Sequence, residues 1–501
     1  MSTVYGSAQK GRFSSRGAKT KKASASAWIQ IAISLAFLLN LFLLYTMIMQ
    51  LTHQQKAFEA SKAANLGLLA LFTVGAFVLT WLVMRVDAWK RTLCMLLIFA
   101  ILYLTVAFSQ LPTIKKYRDI WIKTAMSTMR HQGLATYYFP ASLVDEIGKQ
   151  KEEALAEQEN RNSTDPAALY QFDPNADNWP EPEGTWTNDE TAQEMTPEQK
   201  QFYSLFYELN VKSAEAYFAD HPGALENGYM HMLVNETSLD GDGTSIRTKL
   251  GEKVLAIDAD NRILILEVNC DGARGVLAIG KLPERLHLFA SSNIANTTGG
   301  TYGCGQTVGT IAKRNDGLLA MTGSGFIDED DAGNVGVGNG GKLAGYAMCD
   351  GTSYKGAPSN WGDKRLELHE NDWFYITNFY EQVSSDTTDA MEFQPAMVVN
   401  GEAVDIGYWT ELNPRSCIGQ SKRGEIMMLC VEGRGAGGSW GCSLSVCRDL
   451  LLQHDCLTAM NCDGGTTAIM WYRGEEITRC SNAATPEGRY LPNAWVYVGA
   501  E

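Results

Sequence analysis

The 501-residue chain contains no Cys-x-x-Cys pair, and its seven histidines are scattered along its length. Zinc is held by closely spaced Cys and His ligands, so a zinc site is argued against. Positive charge is also in deficit: 42 Lys and Arg stand against 57 Asp and Glu, a formal charge of -15. A nucleic-acid backbone needs the opposite balance, which removes nucleic acid from the expected partners. Tandem repeats are absent, so the chain is not a repeat array. A cleaved signal peptide fits poorly, because the first apolar run starts late, behind a long polar arm, and two more runs follow it.

Two further motifs are incomplete. "GVGNGGKL" at 336–343 sets Gly336, Gly341 and Lys342 in the register of a phosphate-binding Walker loop, yet Leu343 stands where a magnesium-binding hydroxyl is required. "LDGDGTS" and "DEDDAGN" resemble pieces of calcium loops without the ligand spacing or closing Glu of an EF-hand. They read as surface turns. A weak calcium site is the most they offer, and no other cofactor is expected.

What is present begins with three predominantly apolar runs at 27–49, 66–84 and 92–108, close to the length that crosses a bilayer as a helix. Lys10, Arg12, Arg16, Lys19, Lys21 and Lys22 precede the first, and Arg85, Lys90 and Arg91 separate the second from the third. The positive-inside tendency makes both segments cytoplasmic. The expectation is a multi-pass membrane protein, with its N-terminus cytoplasmic and everything after about residue 110 extracytoplasmic. Ten of the eleven cysteines fall in that later part, from Cys270 to Cys480. An even number in an oxidising compartment suggests disulfides of unknown pairing, with buried thiols as the alternative.

The expected organisation is therefore a basic arm at 1–26, a three-helix transmembrane anchor at 27–110 and a helical stalk at 111–160. An acidic linker with a helical segment follows at 161–250, and an extracytoplasmic mixed α/β domain occupies 251–501. A Thr-Pro-Glu-Gln start at 196 opens a helix to about 219, with Phe202, Leu205, Phe206 and Leu209 at helical spacing. From 253, "KVLAIDADNRILILEVN" and "GVLAIGKL" alternate as strands around tight turns.

The densest chemistry lies late in the chain. Ile426–Val431 is an apolar run of strand length ending in Glu432-Gly433-Arg434. Glycine-rich chain, a helix from about Ser443 to His454 and a short strand from Cys456 then lead into Asn461-Cys462-Asp463. A β-loop-α-β unit makes its two strands parallel, so both end at one edge of the sheet. Glu432, Arg434 and Asp463 are thereby expected in one crevice, where open sheets bind ligands. An Arg beside two carboxylates, fringed by glycine, suits an anionic or polyhydroxyl substrate. Arg415, in "NPRSCIGQ", offers a second guanidinium for phosphate, or else a structural partner for a carboxylate.

Six stretches carry a resemblance in order: 318–351, "FQPAMVVNGEAV" (393–404), "NPRSCIGQ" (413–420), "MLCVEGRGAGGSWGCSLSVCRDLLL" (428–452), "NCDGGTTAIM" (461–470) and "GRYLPNAWVYV" (488–498). Together they resemble the phosphodiester glycosidase family over about residues 250–501. Arg415, Arg434, Asn461, Asp463, Gly464 and Gly465 keep the family pattern. Thr322-Gly323-Ser324-Gly325-Phe326 replaces the usual Asn-Gly-Gly-Phe-Phe, and Glu432-Gly433-Arg434 replaces Asp-Gly-Arg. Cys462 stands for a leucine, and Thr466-Thr467 for a serine-rich tail.

The resemblance implies hydrolysis of a sugar-1-phosphodiester at the anomeric C–O bond, on a phosphate-linked glycan. In that chemistry Arg415 and Arg434 clamp phosphate. Asp463 is base or nucleophile, with Glu432 assisting. Asn461, Gly464 and Gly465 orient sugar or phosphate, and Thr322 and Gly323 form the first block's contribution. A non-catalytic envelope module that binds phosphate-containing polymers is the alternative. Oligomeric state has no signature in the sequence.

Overall fold

The structure, a computed structural model, describes residues 103–128, 131–159, 163–165, 195–292, 294, 303–330, 336–356 and 364–499. The runs expected to span a membrane lie outside these residues, apart from 103–108. Among the described residues no helix is long and apolar enough to cross a membrane. Helix α1, Pro112–Met126, carries Lys115, Lys116, Arg118, Asp119 and Lys123, and α2, Ala141–Glu159, is charged along its second half. This corrects the expectation of a three-helix anchor and a multi-pass placement.

Two units divide the chain. In the smaller, which includes 103–122 and 133–145, Arg118 donates to the carbonyls of Ala107 (2.9 Å) and Ser109 (3.2 Å). The larger contains 123–132 and 146 onward, and it is sheet-rich rather than evenly mixed α/β.

Seven strands form the centre of the larger unit: β1 Lys253–Asp258, β2 Ile263–Cys270, β3 Ala273–Gly280, β4 Ala396–Val399, β5 Arg415–Ser421, β6 Ile426–Val431 and β7 Cys456–Asn461. They make up most of a nine-stranded sheet in the order β1-β2-β3-β6-β5-β7-β4, with the short strands Leu233–Asn235 and Glu402–Ala403 at its edges. The β2–β3 connection is the two-residue turn Asp271-Gly272, both at positive φ (55° and 86°). That is the geometry matching strand twist in a tight hairpin, and Asp-Gly tolerates it. Every residue of β5, β6 and β7 is buried, which explains why β6 reads as an unbroken apolar run: the sheet is covered on both faces. Helix α3, Leu444–Gln453, packs Leu444, Cys447, Leu450 and Leu451 over β7 and β4.

The helix expected from 196 to 219 is two helices. Thr196 and Gln199 form a reciprocal capping box at Pro197–Leu205, and Asn210 caps a second start at Val211–Asp220. The ten later cysteines are free thiols, not the expected disulfides. Nine are buried, five of them on or beside β2, β5, β6 and β7, where they pack as small apolar side chains.

Two five-stranded sheets complete the large unit: one includes 364–369, 374–378 and 387–393, the other 286–290, 317–322 and 493–498. Trp495 joins them. It is fully buried, its indole N–H donates to the Met391 sulfur at 3.3 Å, and its ring meets Phe374 edge-on at 5.7 Å. Trp495→Ala should cost about 3–5 kcal/mol of unfolding free energy, read from the shift of the denaturant midpoint.

Candidate functional site

Strand β5 is antiparallel to both β6 and β7, so these two run parallel with β5 between them. Their carboxyl ends share an edge with the amino end of β5. Arg415 lies opposite Val431, and Asn461 opposite Cys417. At this edge a cavity of about 320 Å³ opens, lined by Arg415, Arg434, Asn461, Asp463, Gly464 and Gly465 among others. The volume is in the range of small-ligand sites.

Arg434 sits in the left-handed region (φ 53°), and a side chain at Gly433 would meet the Gly441 backbone at 2.7 Å. The two ends of the glycine-rich loop therefore touch, and the turn projects Arg434 toward Asp463. Its Nη2 donates to Asn413 Oδ1 at 2.9 Å. Burial, together with the neighbouring Arg415 charge, pushes Arg434 down to about 10, while Asp463 opposes the fall. Two guanidinium groups that disfavour each other describe a place for an anion.

Arg415 is held from behind. It donates from Nη2 to the Glu411 carbonyl (2.7 Å) and from Nε to the Cys442 carbonyl (3.2 Å), with Glu411 Oε1 at 3.4 Å. The structural pairing that the sequence left open is thus present, and Arg415 still lines the cavity.

Asp463 is fixed at its backbone, where its N–H donates to Gly323 O at 3.1 Å, and its Oδ1 accepts from Gly464 N–H at 3.0 Å. Burial raises its carboxyl to about 6, against the opposing effects of Thr467, the Gly464 N–H and Arg489; Asp328 adds to the rise.

Three acceptors of the lining residues lack donors. Asn461 Oδ1, Gln394 Oε1 and Glu411 Oε2 are buried and lack a hydrogen-bond partner, and all three residues line the cavity. Asn461 directs its own amide N–H to the Gln394 carbonyl at 2.7 Å, which fixes the orientation of its oxygen. Unpaired buried acceptors are costly, and three of them stand in residues that border this cavity.

Glu432 is placed elsewhere. Its carboxylate is buried against Arg274 Nη1 (2.6 Å) and takes the Arg479 N–H at 3.0 Å and its Nη1 at 3.5 Å. Gly437 closes over its outer oxygen, where any Cβ would stand 2.4 Å away. It is not part of the cavity lining, so the crevice gathers Arg434 and Asp463 without it. Thr322 is fully buried, its hydroxyl bonded to the Thr467 carbonyl and accepting from Ile469 N–H at 3.3 Å. It and Gly323 therefore act by anchoring the chain around Asp463. Glu411, Gln394 and Asn413 join the site unforeseen, although all three stand in or beside the stretches that carry the resemblance. Residues 411–415 are not helical, so the four-residue spacing carried no signal of the Glu411–Arg415 contact.

The raised carboxyl of Asp463 has a thermodynamic sign. Between about pH 4 and 6 the folded chain keeps a proton that the unfolded chain releases, so stability falls as pH rises through that window and stays lower above it. Asp463→Asn should remove this fall and stabilise the protein above pH 6 by roughly 1–2 kcal/mol, less than full linkage because water at the cavity mouth screens the carboxylate. Melting temperature against pH, wild type beside variant, reads it out.

Residues 316–498 match the family model described as phosphodiester glycosidase. Among solved structures, the chain is similar to the catalytic domain of the zebrafish N-acetylglucosamine-1-phosphodiester alpha-N-acetylglucosaminidase auto-inhibited by its pro-peptide, at 14% identity and a TM-score of 0.38, covering 48% of this chain and 82% of that one. It is also similar to a hypothetical protein from Synechocystis, at 12% identity and a TM-score of 0.33, covering 50% of this chain and 65% of that one. No curated protein matches the chain. The match across 316–498, which takes in the sheet edge and the residues around Asp463, identifies that part of the chain as a phosphodiester glycosidase domain.

Proposed function

We propose that the cavity hydrolyses a sugar-1-phosphodiester at the bond between the anomeric carbon and the phosphate oxygen, releasing the sugar and a phosphomonoester. The observation that carries this reading is one cavity lined together by two guanidinium groups, Arg415 and Arg434, and by the carboxyl of Asp463 and the amide of Asn461. A phosphodiester joined to a sugar brings an anion for the guanidinium groups and hydroxyl groups for the carboxyl and the amide.

Water adds across the scissile bond, its hydroxyl to the anomeric carbon and its proton to the departing phosphate. The phosphomonoester leaves readily when its growing charge is met by guanidinium groups already in place. Asp463 is the base or the nucleophile. A carboxyl at about 6 is mostly ionised at neutral pH and can still take up a proton. Retention of configuration at the anomeric carbon would assign it the nucleophile's role, inversion the base's.

A panel of glycosyl-1-phosphodiesters, turned over in oxygen-18 water, tests the reading: label should enter the sugar and not the phosphate. kcat/KM should rise with pH to a plateau above about 6, and Asp463→Asn should lower kcat on the order of a thousandfold. Undiminished release of sugar by that variant sinks the assignment, and label in the phosphate moves the cleaved bond.

Gly465→Ala gives a second check. Gly465 has φ +71°, and its Cβ would stand 2.8 Å from Arg434 Nη1. The methyl group should displace the guanidinium and lower kcat/KM about tenfold, through kcat as well as KM, because the guanidinium meets both the bound phosphate and the charge that grows on it.

A further inference from the structure

One wall of the cavity does not come from the family-matched residues. Met126, Ser127, Gln132 and Lys151, from the end of α1, the chain after it and α2, line it together with Arg415, Arg434 and Asp463. This wall is tied to the loop before β5. Lys123 Nζ donates to the Tyr408 carbonyl at 2.8 Å and lies 4.3 Å from the centre of the Tyr408 ring. Thr124 Oγ1 accepts the Leu412 N–H at 2.9 Å, and Ser127 Oγ accepts from Asn413 Nδ2 at 2.8 Å.

The last of these bonds reaches the site. Asn413 is 4% exposed, and its amide is used at both ends: the nitrogen donates to Ser127, and the oxygen accepts from Arg434 Nη2 at 2.9 Å. The Ser127 hydroxyl gives its proton to the Thr124 carbonyl at 2.9 Å, so toward Asn413 it is an acceptor only. A flipped amide would set its N–H groups against the guanidinium, which has only donors, and its oxygen against an oxygen without a proton to give. Ser127 therefore decides which way Asn413 faces, and Asn413 decides whether Arg434 meets an acceptor or a repelling donor.

We propose that Ser127 is a positioning residue of the anion site: acting through the Asn413 amide, it fixes the Arg434 guanidinium, so that the 123–132 segment and the glycosidase domain make one working site. This rests on the reading of Arg434 as a phosphate ligand.

Ser127 is exposed at the surface, so its replacement should leave folding intact. Inorganic phosphate, titrated into the full chain by calorimetry, is the probe. Ser127→Ala should weaken phosphate binding about three- to tenfold, the effect of losing one orienting hydrogen bond, at unchanged melting temperature. Ser127→Thr keeps the hydroxyl and should restore binding; Asn413→Ala should match or exceed the loss. Phosphate bound equally by wild type and Ser127→Ala, or a loss that threonine does not rescue, overturns the relay alone. No phosphate binding by the wild type overturns the anion site and the relay with it, whatever the result with phosphodiesters.

Discussion

Strand β5 lies antiparallel between two strands that are parallel to each other, and the hydrogen-bond registers on its two sides set Arg415 level with Val431 and Asn461 level with Cys417, two residues along. No other element could place a residue midway between the ends of β6 and β7. The glycine loop after β6 and the Asp-Gly-Gly turn after β7 diverge from that line. Arg434 and Asp463, carried by these two connections, both line the cavity.

What the edge gathers is a set of groups each held away from comfort. Arg434 adopts a backbone region that side chains seldom occupy and has a guanidinium whose charge is disfavoured by burial and by Arg415. Asp463 keeps its proton to a higher pH than an ordinary carboxyl, and three residues of the lining have buried oxygens without donors. The rest of the domain is conventional beside this: thiols and aliphatic groups fill the sheet, and charges such as Glu432 are matched by arginine on two sides.

The sequence made the strands and the shared edge legible because their signals are local or topological. Apolar runs, the Asp271-Gly272 turn and the β-loop-α-β order all survive without knowledge of neighbours. The interposition of β5 between β6 and β7 was not legible, since it depends on which strands pair across long separations. The direction of the Glu432 carboxylate was hidden for a related reason. It is settled by Arg274, 158 residues earlier, and by Arg479, 47 residues later. The apolar runs before residue 110 looked like spans on composition alone, and the helices that are described answer to charge instead. Gln394 and Glu411 were passed over because amides and carboxylates near a strand start are common, and only a missing donor sets these apart.

The loop that carries Arg434 contains Gly435, Gly437, Gly438 and Gly441, all at positive φ, and Gly433 and Gly441 also press against neighbouring backbone. Such a loop tolerates few side chains, so its shape is close to fixed by its own stereochemistry. Change in what the cavity accepts would then have to come from lining residues outside that loop. Gln132 and Lys151, in the chain after α1 and on α2, are such residues, and a change of side chain there need not disturb a strained turn. The glycine loop is the conservative partner, and these two positions are where the cavity is free to change.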